Sequence, residues 1–268
     1  MGSKFQKKSN SCGFKRKEQA ALDSAVNAIE KHIPITPCGS FTAKDIAITT
    51  VGMAIKQLSP TEMCKLPDLK LPSGTTYRTC TNTIDYDILI ENNPSLFQEY
   101  ARQFIKPGRF YTYAIDEVTE PYYGEIVPEN EDFIVGGKQK KSTNYFYSYI
   151  SLYVTVRNRR VTLAVFPVRN SISKLTYIRQ FIEIIKKLNC GINVLLLDRG
   201  FFSAEIFHFL KNEQILLIMP VKVVGEKMKA LLAHKEVREF KYTLYLGNAE
   251  AEEITIRRYT TYICKKNG

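Results

Sequence analysis

Histidine is scarce and paired cysteine is missing. Three His (His32, His208, His234) and six scattered Cys (Cys12, Cys38, Cys64, Cys80, Cys190, Cys264) contain no Cys-x-x-Cys pair. The ligand spacing of a zinc finger is therefore absent. Nor is a disulfide framework expected in an intracellular chain of 268 residues. No apolar run reaches the roughly 18 residues of a membrane helix. The opening "MGSKFQKKSNSCGFKRKEQ" lacks the apolar stretch of a signal peptide. A soluble cytoplasmic protein with no membrane partner is expected. Beyond the N-terminal tail there is no low-complexity stretch, and no internal repeat.

Acid is also in deficit. Asp and Glu number 27 against 38 Lys and Arg, a net charge of +11. Six basic residues (Lys4, Lys7, Lys8, Lys15, Arg16, Lys17) and one acid, Glu18, fall within the first 19 residues. Such an excess attracts polyanions by Coulomb attraction and counterion release, so DNA is the expected partner, with ordinary solubility charge as the plain alternative. Hydrophobic residues make up 44% of the chain, enough for one sizeable core and a small extra domain.

Residues 1–18 read as a disordered basic tail. Residues 19–108 read as helical. "FTAKDIAITTVGMAIKQL" places Thr42 three residues before Asp45, and "SPTEMCKL" places Ser59 before Pro60 and Glu62, both helix-start patterns. "PSGTTYRTCTNTI" is a turn leading into a short polar segment, and "NNPSLFQEYARQFI" suggests a helix started by Pro94. Short helices, a turn and a polar helix suit a helix-turn-helix, although any small helical bundle has the same pattern. Thr76, Tyr77, Arg78 and Asn82 are its expected exposed DNA contacts.

From residue 109 the pattern turns to strands. "RFYTYAID" ends on Asp116. Residues 144–157 and 160–169 are two β-rich runs joined by a short Asn-Arg link, a hairpin. "SKLTYIRQFIEIIKKL" is amphipathic, with Leu175, Ile178, Ile182 and Ile185 on one face. "INVLLLD" reads as a strand buried on both faces and ends on Asp198. "SAEIFHFLKN" is a helix capped by Ser203, and "ILLIMPVKV" reads as another buried strand. Strand, strand, strand, helix, strand, helix, strand implies a mixed α/β (α+β) sheet with helices packed on it.

Asp116 and Asp198 are each expected at a strand end of one sheet. Each taken alone could be a turn or cap residue. Two neighbouring carboxylates repel unless a cation lies between them, and oxygen ligands select Mg²⁺ or Mn²⁺. With two such ions a phosphodiester can be cut by water and rejoined by a strand end. Arg199 is a candidate contact to DNA phosphate, or else the partner of a surface acid. "GGKQKKS" (136–142) fails as a phosphate loop because Asp132 stands where its first Gly should be. It reads as a glycine turn whose Lys138, Lys140 and Lys141 meet the DNA backbone, or as a plain surface loop. His208 reads as a packed or half-exposed helix residue, and the alternating Tyr of 145–153 as strand packing.

These residues resemble a known family. "YAIDEVTEPYYGE" is similar to the first-aspartate segment of DDE-type insertion-sequence transposases, especially a branch common in archaea, with Asp116, Thr119, Pro121, Tyr122, Tyr123 and Gly124 at the matching positions. "LLLDRGFFS" is similar to the second-aspartate segment, and "PSGTTYR" resembles the family's N-terminal DNA-binding region. The likeness covers roughly residues 40–225. It implies a ribonuclease H-like catalytic core over 109–225, preceded by a small helical DNA-binding domain, and a cut-and-join reaction on transposon ends and target DNA. Asp116 and Asp198 would bind Mg²⁺ or Mn²⁺. A homodimer on DNA and a nucleoid-associated prokaryotic location go with it. The family's third acid is a Glu on a later helix, with Tyr and Arg shortly before it. Here residues 226–268 are basic and β-rich, like the insertion before that helix. Glu250, Glu252 and Glu253 precede a strand-like run, and "RRYTTYICKKNG" is followed by no Glu. The expectation is a copy cut short of its third acid. A metal-dependent nuclease of the same fold and a non-catalytic DNA-binding remnant are the alternatives.

Overall fold

The structure is a computed structural model that describes residues 16–66, 70–221, 225–233, 239–246 and 250–257. Lys4, Lys7, Lys8 and Lys15 of the basic stretch, Cys12, His234 and residues 258–268 lie outside them. The chain divides into two compact units, Met1–Tyr100 and Ala101–Gly268.

The first unit is helical: α1 (Arg16–His32), α2 (Ala43–Lys56), α3 (Pro60–Met63), α4 (Gly74–Thr81) and α5 (Tyr86–Ala101). Helix α1 starts inside the stretch read as a tail. The two capping patterns form as reciprocal pairs, Thr42 with Asp45 and Ser59 with Glu62, each satisfying otherwise orphaned N–H groups. Leu22, Val26, Ala47 and Met63 form the buried centre of this unit. Gly74 lets α4 start hard against α3, since a Cβ there would lie 2.8 Å from Thr61 Oγ1. Helix α5 departs from expectation. It starts at Tyr86, after Asp85 accepts the Ile88 N–H at 3.0 Å, and carries Pro94 inside it. The proline removes one backbone donor there, and the helix continues past it. Lys31 and His32 both meet Glu99 Oε2, at 3.0 and 2.6 Å, joining α1 to α5.

The second unit holds β1 (Phe110–Pro121), β2 (Ile134–Lys140), β3 (Thr143–Val156), β4 (Arg159–Pro167), α6 (Lys174–Lys187), β5 (Gly191–Leu197), α7 (Ala204–Asn212), β6 (Leu217–Ile218), α8 (Gly225–Ala233), β7 (Glu239–Leu246) and β8 (Glu250–Arg257). β3 pairs antiparallel with β1 on one side, and with β2 and then β4 along its other side. β5 and β6 run parallel to β1. The spatial order β4-β3-β1-β5-β6 has three antiparallel strands and then two parallel ones after helical crossovers. That is the mixed α/β, ribonuclease H-like arrangement. β7 and β8 form a separate two-stranded sheet.

Both faces of β3 are legible from its alternation. Phe146, Ser148, Ile150, Leu152 and Val154 are buried. They share the face on which Phe166 of β4 stacks on Phe181 of α6, ring centroids 5.4 Å apart. The opposite face carries Tyr145, Tyr147, Tyr149, Ser151 and Tyr153, exposed or half-buried. Both ends of β3 turn through two-residue loops with positive φ. Lys141 (47°) and Ser142 (68°) link it to β2, and Arg157 (48°) and Asn158 (61°) to β4. These are the mirror-image turns whose twist matches paired strands.

Three expectations are corrected. "GGKQKKS" is largely strand β2, not a loop, because Lys140 pairs with Thr143 across the tight turn. The segment around "ILLIMPVKV" contributes only the two-residue edge strand β6, and Leu216 and Ile218 are 64% and 59% exposed rather than buried. Residues 225–233 form helix α8 within a stretch read as β-rich. Its Met228, Leu231 and Leu232 follow helical spacing.

Candidate active site

Asp116 is not at a strand end. β1 continues through it to Pro121, because β3 goes on pairing as far as Pro121–Phe146. The end that matters belongs to β5. Ile115 pairs with Leu197 in parallel register, and β5 stops there. A strand spacing of about 4.8 Å separates the paired backbones of Ile115 and Leu197, and Asp116 and Asp198 are the next residue along each chain. Ile115 and Leu197 are both buried on the α6 side. By strand alternation Asp116 falls on the opposite face, beside Ser151. Asp198 caps the following 3-10 turn, Arg199–Phe201, and its Oδ1 accepts the Arg199 N–H at 2.5 Å. Asp116 Oδ1 accepts the Glu117 N–H at 3.0 Å. Asp116 is half-buried and Asp198 exposed.

A second charged group braces this edge from the other face. Glu117 points toward α6. Its Oε1 accepts the Ser148 hydroxyl at 2.7 Å, and its Oε2 meets Lys174 Nζ at 2.6 Å. Lys174, the first residue of α6, also donates to the Gly200 carbonyl at 3.3 Å and lies over the Phe201 ring, 5.2 Å from its centroid. One ammonium thus ties the residue after Asp116 to the turn that follows Asp198. The sequence reading missed this brace. Its signal was a Lys directly after the α6 cap Ser173 and a second acid after Asp116.

Arg199 is exposed at the site's edge. Lys138, Lys140 and Lys141 are exposed on the β2–β3 hairpin, and Lys140 lies 5.9 Å from the Phe146 ring centroid. In the first unit Arg78 and Asn82 are exposed, but Thr76 and Tyr77 are half-buried. Tyr77 and Thr50 share a hydroxyl hydrogen bond of 3.0 Å, and Thr76 is engaged with the cap Ser73 at 2.9 Å. Both are held by the helical bundle, so of the four only Arg78 and Asn82 present open side chains. His208 is exposed beside Asn212, at 3.0 Å. Glu250, Glu252 and Glu253 lie within β8 rather than ahead of it.

The donor chemistry at Asp116 and Asp198 suits a hard cation. Each carboxylate gives one oxygen to a backbone N–H and keeps Oδ2 for another partner. Mg²⁺ is commonly held by one or two carboxylates and retains several waters. Among the described residues no group of three or more His, Cys, Asp or Glu is placed to hold a metal.

No family model matches the sequence. No curated protein matches it either. Among solved structures, the chain is similar to the piggyBac transposase in its synaptic complex with hairpin DNA, with TM-score 0.44 and 14% identity over 87% of this chain and 56% of that one. A chain of the simian T-cell lymphotropic virus intasome in complex with PP2A regulatory subunit B56 gamma gives TM-score 0.24 and 10% identity over 69% of this chain and 56% of that one. The chain therefore spans a little over half the length of either. At such low identity neither similarity decides the chemistry, which rests on the residues themselves.

Proposed function

We propose that this chain carries the catalytic core of an insertion-sequence DNA transposase, with Asp116 and Asp198 holding Mg²⁺ or Mn²⁺. The observation that carries this reading is the parallel pairing of Ile115 with Leu197, the residues directly before Asp116 and Asp198. A bound ion would lower the pKa of an attacking water and stabilise the leaving oxygen of a phosphodiester. The chain's own residues would bind and orient. The Lys174 contacts to Glu117 and the Gly200 carbonyl would hold the strand of Asp116 to the turn after Asp198, limiting how far the carboxylates must reorganise. Arg199 sits beside Asp198, where a scissile phosphate would need a counter-charge. Lys138, Lys140, Lys141, Arg78 and Asn82 would meet the DNA backbone, and two protomers would hold two ends.

A labelled duplex from the DNA flanking the gene, incubated with Mg²⁺ and a target plasmid, tests this. Cut ends that become joined to the plasmid support transposition. Cutting without joining favours the nuclease reading. Asp116→Asn and Asp198→Asn should each abolish both products. One observation favours the DNA-binding remnant, namely that no third acid joins the pair among the described residues. That reading predicts salt-sensitive DNA affinity with no cleavage at all.

A further inference from the structure

We propose that the exposed face of β3 is a platform for single-stranded DNA, on which unpaired bases stack beside Asp116. This rests on the proposed function and names the form of its substrate. Tyr145, Tyr147, Tyr149 and Tyr153 occupy alternate positions on that face, interrupted once by Ser151, the partner of Asp116. Tyr145 and Tyr149 are 50% and 40% exposed, and Val118, paired with Tyr149, is 50% exposed. Tyr147 between them is half-buried against the Tyr122 ring, centroids 5.1 Å apart, so Tyr145 and Tyr149 are the open rings, and large apolar surface left open marks a contact site. Same-face neighbours along a strand repeat every ~6.8 Å, a step that an extended single strand can follow. Ladders on both sides of β3 fix the backbone that carries these rings, so little order has to be gained on binding.

Charge at the two ends of β3 selects a polyanion. Lys138, Lys140 and Lys141 are exposed on one hairpin, and Arg157, Arg159 and Arg160 on the other. The Arg160 guanidinium lies over the Tyr153 ring, 5.3 Å from its centroid, on the platform itself. Near the lysine hairpin Tyr123 is 67% exposed, and its hydroxyl donates to the Lys141 carbonyl at 2.7 Å. A basic track interleaved with aromatic rings is how single strands are held without sequence preference. Two acids share the face, Asp116 and Glu120, the latter paired with Tyr147. They disfavour phosphates over the middle of the strand, which leaves that stretch to bases. A duplex keeps its base faces stacked inside and offers the tyrosines nothing. A second copy of the chain would bring its own lysine and arginine hairpins against these, like charge on like.

The test is fluorescence anisotropy of labelled oligo(dT) of about 12 nucleotides, within the usual single-strand site size, in EDTA so that no cleavage intervenes. Wild type should bind it more tightly than a duplex of equal length. Tyr145→Ala and Tyr149→Ala should each weaken binding by roughly 5- to 150-fold, the range given by loss of one base–aromatic stack. Tyr149→Phe should retain it. The chain has no tryptophan, so quenching of tyrosine emission by the oligonucleotide is a second readout. Unchanged affinity in both alanine variants, or equal binding of the duplex, overturns the proposal. So does a change of oligomeric state in those variants with no change in oligonucleotide binding. Binding is read in EDTA and cleavage in Mg²⁺, so oligo(dT) affinity without cleavage, or cleavage without oligo(dT) affinity, shows separately whether the platform or the cleavage reading has failed.

Discussion

Lys174 Nζ lies 2.6 Å from Glu117 Oε2, across the gap between the start of α6 and the strand that bears Asp116. The pair is partly open, with side-chain exposures of 38% and 20%. Its contribution to stability is therefore modest, about 1 kcal/mol or less. Its reach to the Gly200 carbonyl makes it matter for the site. Lys174→Gln should lower the thermal midpoint by only a few degrees yet reduce DNA cleavage roughly tenfold, and Lys174→Arg should recover part of the rate. Parallel melting curves and cleavage rates check this.

Asp132 ties the short turn before β2 to the loop before α6. It accepts from the Ser171 hydroxyl and N–H, both at 2.8 Å, and from Arg169 Nε at 2.6 Å. These bonds, Ser171 first and then Arg169, hold its carboxyl below the ordinary range. A carboxylate with a lowered folded pKa stabilises the protein above its unfolded value of about 3.9, and the effect fades as pH falls through the folded value. Asp132→Asn should therefore melt earlier than wild type at pH 7, and the gap should close below about pH 4. Melting curves across that range decide it.

Phe181 is fully buried and stacked on Phe166, which welds α6 to the sheet behind the aspartates. Phe181→Ala should cost about 3–5 kcal/mol, measured by denaturant unfolding. The same variant should also lose Mn²⁺ binding if α6 holds the site's edge in place.

Arg157 and Asn158 both sit at positive φ in the β3–β4 turn, where side chains other than Gly are strained. Replacing the pair with Asn-Gly should raise stability by roughly 0.5–1 kcal/mol without touching the metal site. It removes one basic residue from the end of β3, so oligo(dT) affinity should fall slightly while the melting point rises.

Much of this arrangement is visible in the residues. Thr42, Ser59 and Ser203 announce their helices because a side-chain oxygen there answers an orphan N–H. The α6 stripe Ile178, Ile182 and Ile185 is buried as its spacing implies. The aspartates stand out because a carboxylate is costly beside apolar strands. Other features are hidden. Pro94 misleads because a proline that usually starts a helix lies within one. β2 hides because Gly136, Gly137, Lys138 and Lys140 mimic a loop, and only the pairing with β3, from Ile134–Tyr147 to Lys140–Thr143, makes the segment strand. The continuation of β1 past Asp116 depends on β3, a partner no local pattern reveals. The Glu117–Lys174 contact joins residues far apart in the chain and follows only from the assembled sheet.

Manganese titration by electron paramagnetic resonance tests the Asp116–Asp198 pairing most directly, with wild type, Asp116→Asn, Asp198→Asn and the double variant. If the two carboxylates share an ion, each single change weakens binding at least about tenfold, and the double change adds much less than the product of the two, as for groups acting as one unit. Mn²⁺ held by either single variant as tightly as by wild type would contradict a shared site.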